Sequence, residues 1–270
     1  MGYETYTGII SREVDTGEAD RYLTILSAER GKLECYAKGI RRQKSKLASQ
    51  AGLMSYGEYQ LFNNKDRYIL TSAKAVEPFY RIREDVVKYA YAAHFLEIAG
   101  DVIVEAQAFP QALQTLLNAL YVMCFRDMNP DFVSRVFEIR ILALSGFAPM
   151  LDQCSVCGAG LEPGGADFAV YGDGLVCGGE ECRNAAGRTV SVSSGALKAI
   201  KHVSQCGAAE IFKFTVNGAV ASELASVIPA YLRYHFGKDY DKLEEAERYR
   251  AFEREMHNKS REKRERQNGI

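Results

Sequence analysis

A chain of 270 residues with a formal charge of -1 and 47% hydrophobic residues has material for more than one core, and its bulk charge would not draw it to a polyanion. No apolar run approaches the roughly 20 residues of a membrane span, and the first residues lack a basic segment followed by an apolar one, so a cytoplasmic protein is expected. Seven cysteines, four of them clustered, favour metal ligation over disulfides in such a reducing setting.

From Tyr3 to about Ala75 the segments are short, tyrosine-rich and β-like. Arg21 to Leu26 reads as a strand and Glu29-Arg30-Gly31 as a turn. Lys32 to Lys38 then alternates Leu33, Cys35 and Ala37 against Lys32, Glu34, Tyr36 and Lys38, which predicts one buried and one wet face. Met54 to Phe62 and Arg67 to Ala75 are further strands, joined by the turn formers Asn63-Asn64-Lys65-Asp66. Five strands in about 75 residues leave no room for helical crossovers. They predict a small antiparallel barrel, OB-like, of the kind that binds single strands with a charged groove and aromatic platforms.

Inside this region Lys38, Arg41, Arg42, Lys44 and Lys46 put five cations into nine residues with no acidic residue among them. Gly39 leaves the strand, and the polar tract after it lacks an apolar period, so a mobile basic loop is expected. The five cations are candidate phosphate contacts, with Arg21 and Lys32 as candidates flanking the same groove. All five on one single strand would give a slope of log affinity against log salt of about -3.5. With no tryptophan in the chain, Tyr22, Tyr36, Tyr56, Tyr59 and Tyr68 are the candidate stacking rings, at least half of them core because barrel strands alternate. A solvated surface loop is the alternative reading of the charge run.

Pro78 closes the β region and the period changes. Arg81 to Glu105 reads as one amphipathic helix, Pro110 as the first residue of a second, and Pro130 to Leu144 as a third with Gly146 as its stop. Ser193-Ser194 caps a helix running to about Cys206, and Asn217 to Phe236 forms another. Lys242 to Arg266 is densely charged, and a solvated helix or tail is expected there. The expected organisation is a barrel over 1–79, a helical domain over 80–150 and 191–240 interrupted by a cysteine module over 151–190, and a charged end over 241–270. The fold class is thus α+β, an OB-fold barrel followed by a helical domain with an inserted zinc-finger-like module.

The inserted stretch CSVCGAGLEPGGADFAVYGDGLVCGGEEC supplies Cys154 and Cys157 as a CxxC and Cys177 and Cys182 as a CxxxxC. Four thiolates fill a tetrahedral zinc site and leave no position for water, so the metal would be structural. His202 and Cys206 share a helical face, and a packed or surface pair is the expected reading. The chain has no P-loop, no glycine fingerprint after a strand, no HExxH and no GxSxG. The histidines at 94, 202, 235 and 257 show no matched carboxylate or serine pattern, so a protein that is not an enzyme is expected.

The order of these features resembles the bacterial RecO family of DNA repair and recombination mediators. The resemblance is carried by KGIRRQKS at 38–45, AVEPFYRIRED at 75–85, FEIRILALSGFAPMLDQCSVCG at 137–158 and YLRYHFGK at 231–238. It extends from Tyr3 to about Asp241. The CGGEEC spacing departs from the second CxxC of zinc-bearing members. The resemblance implies binding of single- and double-stranded DNA, annealing of complementary strands, and help in loading RecA recombinase onto DNA coated by single-stranded-DNA-binding protein. The partners it implies are RecR, the C-terminal tail of that coating protein, and RecF. A protein-interaction scaffold and a zinc-bearing RNA-binding factor are the readings from other classes.

Overall fold

A computed structural model describes residues 2–65, 67–161, 166–244, 248, 249 and 251. Five strands, β1 (Gly2–Thr16), β2 (Asp20–Ser27), β3 (Gly31–Ala37), β4 (Tyr56–Asn64) and β5 (Arg67–Glu77), close into a barrel in the order β1-β2-β3-β5-β4. The first strand is long, not short, because it serves two neighbours: Gly2–Ile9 pairs with β4 and Gly8–Thr16 with β2, with a register shift between Ile10 and Arg12. Gly8 and Gly57 face each other across this corner. A Cβ on Gly57 would stand 2.2 Å from the Lys74 carbonyl oxygen, so the β1, β4 and β5 backbones close up only without a side chain there. The predicted alternation of β3 is observed, with Leu33, Cys35 and Ala37 buried in the barrel among Ile10, Leu23, Ile25, Tyr59 and Leu61.

The outer wall of the same barrel docks on the helices. Ile9, Leu26 and Met54 belong to the helical core and not to the barrel core, burying apolar surface between the two layers. That core is built by α2 (Val86–Val102), α3 (Pro110–Phe125), α4 (Pro130–Leu144), α6 (Ser194–Gln205) and α7 (Gly218–Phe236), with the Phe95 and Phe137 rings 4.7 Å apart at its centre. Local chemistry sets the boundaries. Pro110 and Pro130 are first-turn residues, and Asn129, Ser193 and Asn217 accept hydrogen bonds from the N–H groups of Asp131, Ala196 and Val220. After α4 the chain turns at Gly146 with φ +88, and Phe147 donates to the Leu142 carbonyl at 2.8 Å.

The expected single helix from Arg81 to Glu105 is two. A short α1 (Tyr80–Arg83) ends at Glu84, and Asp85, in extended conformation, caps α2 by accepting from the Lys88 N–H at 3.0 Å. The α2 helix then stops at Val102, because the chain beyond it is bound to the barrel: the Val104 carbonyl accepts from Lys32 N–H at 3.1 Å, and Gly31 with φ +73 approaches it too closely for any Cβ. Between α4 and α6 a small module holds β6 (Ala166–Ala169), β7 (Leu175–Cys177), α5 (Glu180–Ala186) and β8 (Thr189–Ser191), with sheet order β7-β6-β8. The expected charged helix beyond Lys242 falls mostly outside the described residues. No helix among the described residues is long and apolar enough to cross a membrane.

Candidate nucleic-acid interface and metal centre

The basic tract leaves the barrel where β3 ends, and it is a chain of turns pinned at several points. Asp20 accepts from the Gly39 N–H at 2.6 Å and from the Tyr36 hydroxyl, and Arg41 N–H donates to the Ala19 carbonyl at 2.9 Å. Ile40 and Ala51 are buried in the barrel core and Leu47 packs against it. These apolar anchors are too widely spaced to show a period, which is why a mobile loop is the natural reading of the sequence. Between the anchors Lys38, Arg41, Arg42, Lys44 and Lys46 are all exposed. Among the five only Arg41 comes within ion-pair distance of a carboxylate of the described residues, Asp15 at 3.3 Å. The Asp20 carboxyl is held below its ordinary range by the Tyr36 hydroxyl first and the Gly39 N–H second, with Arg42 and Lys38 adding to the effect. The acid that anchors the tract is therefore ionised.

The two flanking candidates fare differently. Arg21 is neutralised, donating to Asp15 at 2.6 Å and Glu13 at 2.9 Å. Lys32 sits at the opposite end of β3 from Lys38, about 20 Å away at strand spacing, against the helical layer. The structure does not bring Lys32 together with the tract.

The stacking candidates also divide. Tyr59 is fully buried and donates to the Ser55 carbonyl at 2.6 Å, so it is a core residue and no platform. Tyr56 packs on the helical core and Tyr68 on the barrel core. Tyr22 and Tyr36 are cross-strand partners on the outward face of β2 and β3, their rings 5.5 Å apart. Above Tyr36 lies the Arg67 guanidinium, 5.0 Å from the ring centroid. Arg67 was not among the sequence candidates. The parallel pairing of β3 with β5, which sets Tyr36 beside Ile69, brings it there. Two tyrosine rings, Arg67 and the Lys38 end of the tract thus form a continuous outward patch able to meet both bases and phosphates.

The four cysteines of the inserted module converge from three elements. Cys154 and Cys157 lie on the turn closed by Gly158 N–H donating to the Cys154 carbonyl at 2.9 Å, Cys177 ends β7, and Cys182 lies in the first turn of α5. Their sulfurs all lie within 4.8 Å of one another, with Cys157 and Cys177 at 3.9 Å. A tetrahedron of thiolates around zinc at ~2.3 Å has edges of about 3.8 Å, so the donor set fits the ion. The wider CxxxxC spacing is accommodated because the chain passes from the end of β7 at Cys177 into α5, whose first turn brings Cys182 back beside it. Burial resists ionisation of Cys154, but N–H groups of Cys157, Cys177 and Val156 outweigh it and pull the thiol down to about 6. Hydrogen bonding to Cys177 and Cys157, followed by burial, pushes Cys182 up to about 12. One sulfur is ready as thiolate, and the last is held protonated by its neighbours until a cation offsets the crowding.

Residues 1–79 match the family Recombination protein O N terminal, and residues 83–244 match Recombination protein O C terminal. The chain belongs to the RecO family. A DNA repair protein RecO from Acetivibrio thermocellus is 38% identical over 244 residues, covering 90% of this chain and 96% of that protein. DNA repair proteins RecO from Symbiobacterium thermophilum and Moorella thermoacetica are 30% and 31% identical, each across 86% of this chain and 92% and 85% of their own lengths. The fold is accordingly that of a RecO protein, mixed α+β with an OB-fold-like N-terminal barrel followed by helices.

Within this RecO fold one charged cluster went unread in the sequence. His94 Nε2 lies 2.8 Å from Glu138 Oε1, which also accepts from Ser134 at 2.9 Å, while Arg135 holds the other oxygen at 2.9 Å. All four residues are buried between α2 and α4. Burial alone would raise the Glu138 carboxyl, yet Arg135, His94 and Ser134 together hold it below the usual carboxylate range. The pairing spans 44 residues and two helices, so no local motif reveals it. His202 and Cys206, in contrast, lie at the surface: His202 is exposed with its ring 5.0 Å from Phe214, and the half-buried Cys206 thiol faces the Val203 carbonyl.

Proposed function

We propose that this RecO-family chain is a DNA-binding recombination mediator that performs no bond chemistry, annealing complementary strands and helping to load RecA onto DNA coated by single-stranded-DNA-binding protein. The observation that carries the reading is the tract itself: four exposed cations with no ion-pair partner among the described residues, set beside the outward Tyr22, Tyr36 and Arg67 patch on an otherwise neutral molecule. Long-range attraction would be weak for a chain of charge -1, so binding is local to this face. Contacts to phosphates with sequence-tolerant stacking hold a strand without reading it, which is what an annealing protein requires. RecR, the tail of the coating protein and RecF are the proposed protein partners, and the DNA partner is both single- and double-stranded.

The proposed cofactor is one structural zinc held by Cys154, Cys157, Cys177 and Cys182. Its chemistry is to neutralise four crowded thiolates and so tie the β6–β8 sheet to α5; with four sulfurs in place no coordination position is left for substrate. The test of function is a variant with Arg41, Arg42, Lys44 and Lys46 changed to alanine. All four side chains are exposed, so it folds normally, and it loses both strand binding and annealing. A variant that anneals at the native rate contradicts the proposal.

A further inference from the structure

We propose that Tyr80, Arg83 and Tyr89 are a second landing for single-stranded nucleic acid, carrying the strand from the basic tract onto the helical layer; this rests on the nucleic-acid reading of that tract. A cleft of about 490 Å³ opens where the tract ends. Ala48, Gly52 and Leu53 form its barrel side, and Arg83, Val86 and Tyr89 its helical side. Arg83, on α1, donates to the Leu53 carbonyl, and a Cβ on Gly52 would stand 3.4 Å from its guanidinium, so the arginine is held against the loop that carries the five cations.

Three properties suit this cleft to a polynucleotide. The Arg83 guanidinium lies 5.5 Å from the Tyr80 ring centroid, a delocalised cation beside a π face. No carboxylate of the described residues lies within ion-pair distance of Arg83. Nearby Asp85 turns its carboxylate onto the α2 N-terminus, and Glu13, the acid that lines the cleft, is paired with Arg21 beside it at 2.9 Å. The rings are uncovered, with Tyr80 55% and Tyr89 39% exposed, which is unusual for tyrosines at a junction between two packed layers. A strand leaving Lys46 would meet them next, phosphate on Arg83 and bases on the two rings.

The experiment titrates the full chain with labelled oligothymidylates of about 5 and about 16 nucleotides, which bracket the footprint of one OB fold. A Tyr80→Ala/Tyr89→Ala variant is expected to melt with the native protein, to bind the short strand within about twofold, and to lose about tenfold on the long one. Equal losses on both lengths, or none on either, overturn the second landing; the latter is also the result if the cleft receives a protein partner instead. If the native chain binds neither strand, the tract reading itself fails and the inference falls with it.

Discussion

The basic tract and the cysteine module gather their side chains in opposite ways. The five cations fall within nine residues of sequence and spread over exposed turns, whereas the four cysteines are scattered over 29 residues, 154–182, and meet within 4.8 Å. The physics of each ligand explains the difference. A phosphate backbone is felt over a Debye length of ~8 to 10 Å, so cations serve it without converging. A metal demands donors at bond distance, so a fold must be built around it. Loss of one member should therefore be graded in the tract and all-or-none in the module.

The sharpest break in that comparison is a single cysteine. Cys154→Ser is expected to take zinc content from about one per chain to near none and to remove hydrogen-exchange protection across β6, β7 and β8. Retention of metal and protection would place the cysteines among ordinary packing residues. The buried charges between α2 and α4 behave like the cysteines, not like the tract. Glu138→Ala leaves Arg135 buried without its partner and should cost about 3 to 5 kcal/mol in denaturant unfolding.

Because the Glu138 carboxyl is held below its ordinary value of 4.5, its contribution is present above that pH and is lost as pH falls through the lower folded value. Glu138→Gln should consequently flatten the acid limb of the stability profile below about pH 4.5. An unchanged acid limb would contradict this.

Effects in the tract and its patch are smaller. Tyr36→Ala should weaken single-strand binding about tenfold with no loss of fold, while Tyr59→Phe, which only breaks the bond to the Ser55 carbonyl, should cost about 1 kcal/mol of stability and leave binding untouched. Smallest of all, Asp15→Asn frees Arg41 from its carboxylate, while Arg21 keeps Glu13 at 2.9 Å. It should tighten binding severalfold and steepen the salt slope by about 0.7 as Arg41 reaches a phosphate. A binding constant that does not move would mean that Arg41 does not reach the strand.

What the sequence disclosed follows the range of the forces involved. The alternation of β3, the cap at Ser193, the helix start at Asn217 and the proline starts of α3 and α4 are decided by neighbours within four residues, and they were readable. The break at Asp85 was not, because apolar spacing continues across it while one side-chain bond to Lys88 N–H ends the register. Which tyrosines face outward depended on strand register, so Tyr59 could not be told from Tyr36 before the barrel closed. Arg67 above Tyr36, Arg21 locked to Asp15, Lys32 at the far end of its strand and the His94–Glu138 pair all follow from tertiary pairing. The anchors Ile40, Leu47 and Ala51 stood in the sequence, but only the barrel wall they enter gives them meaning.

The central claim is that a strand is held by the unpaired cations of the tract. Equilibrium titration of a short single strand of about 5 nucleotides, which ends before Arg83, between about 50 and 200 mM salt measures it directly. With Arg41 occupied by Asp15, four cations remain, and the native protein should show a slope near -2.8, falling to about -0.7 when Arg41, Arg42, Lys44 and Lys46 are alanine. A native slope near zero, or one that the four alanines leave unchanged, would contradict the account.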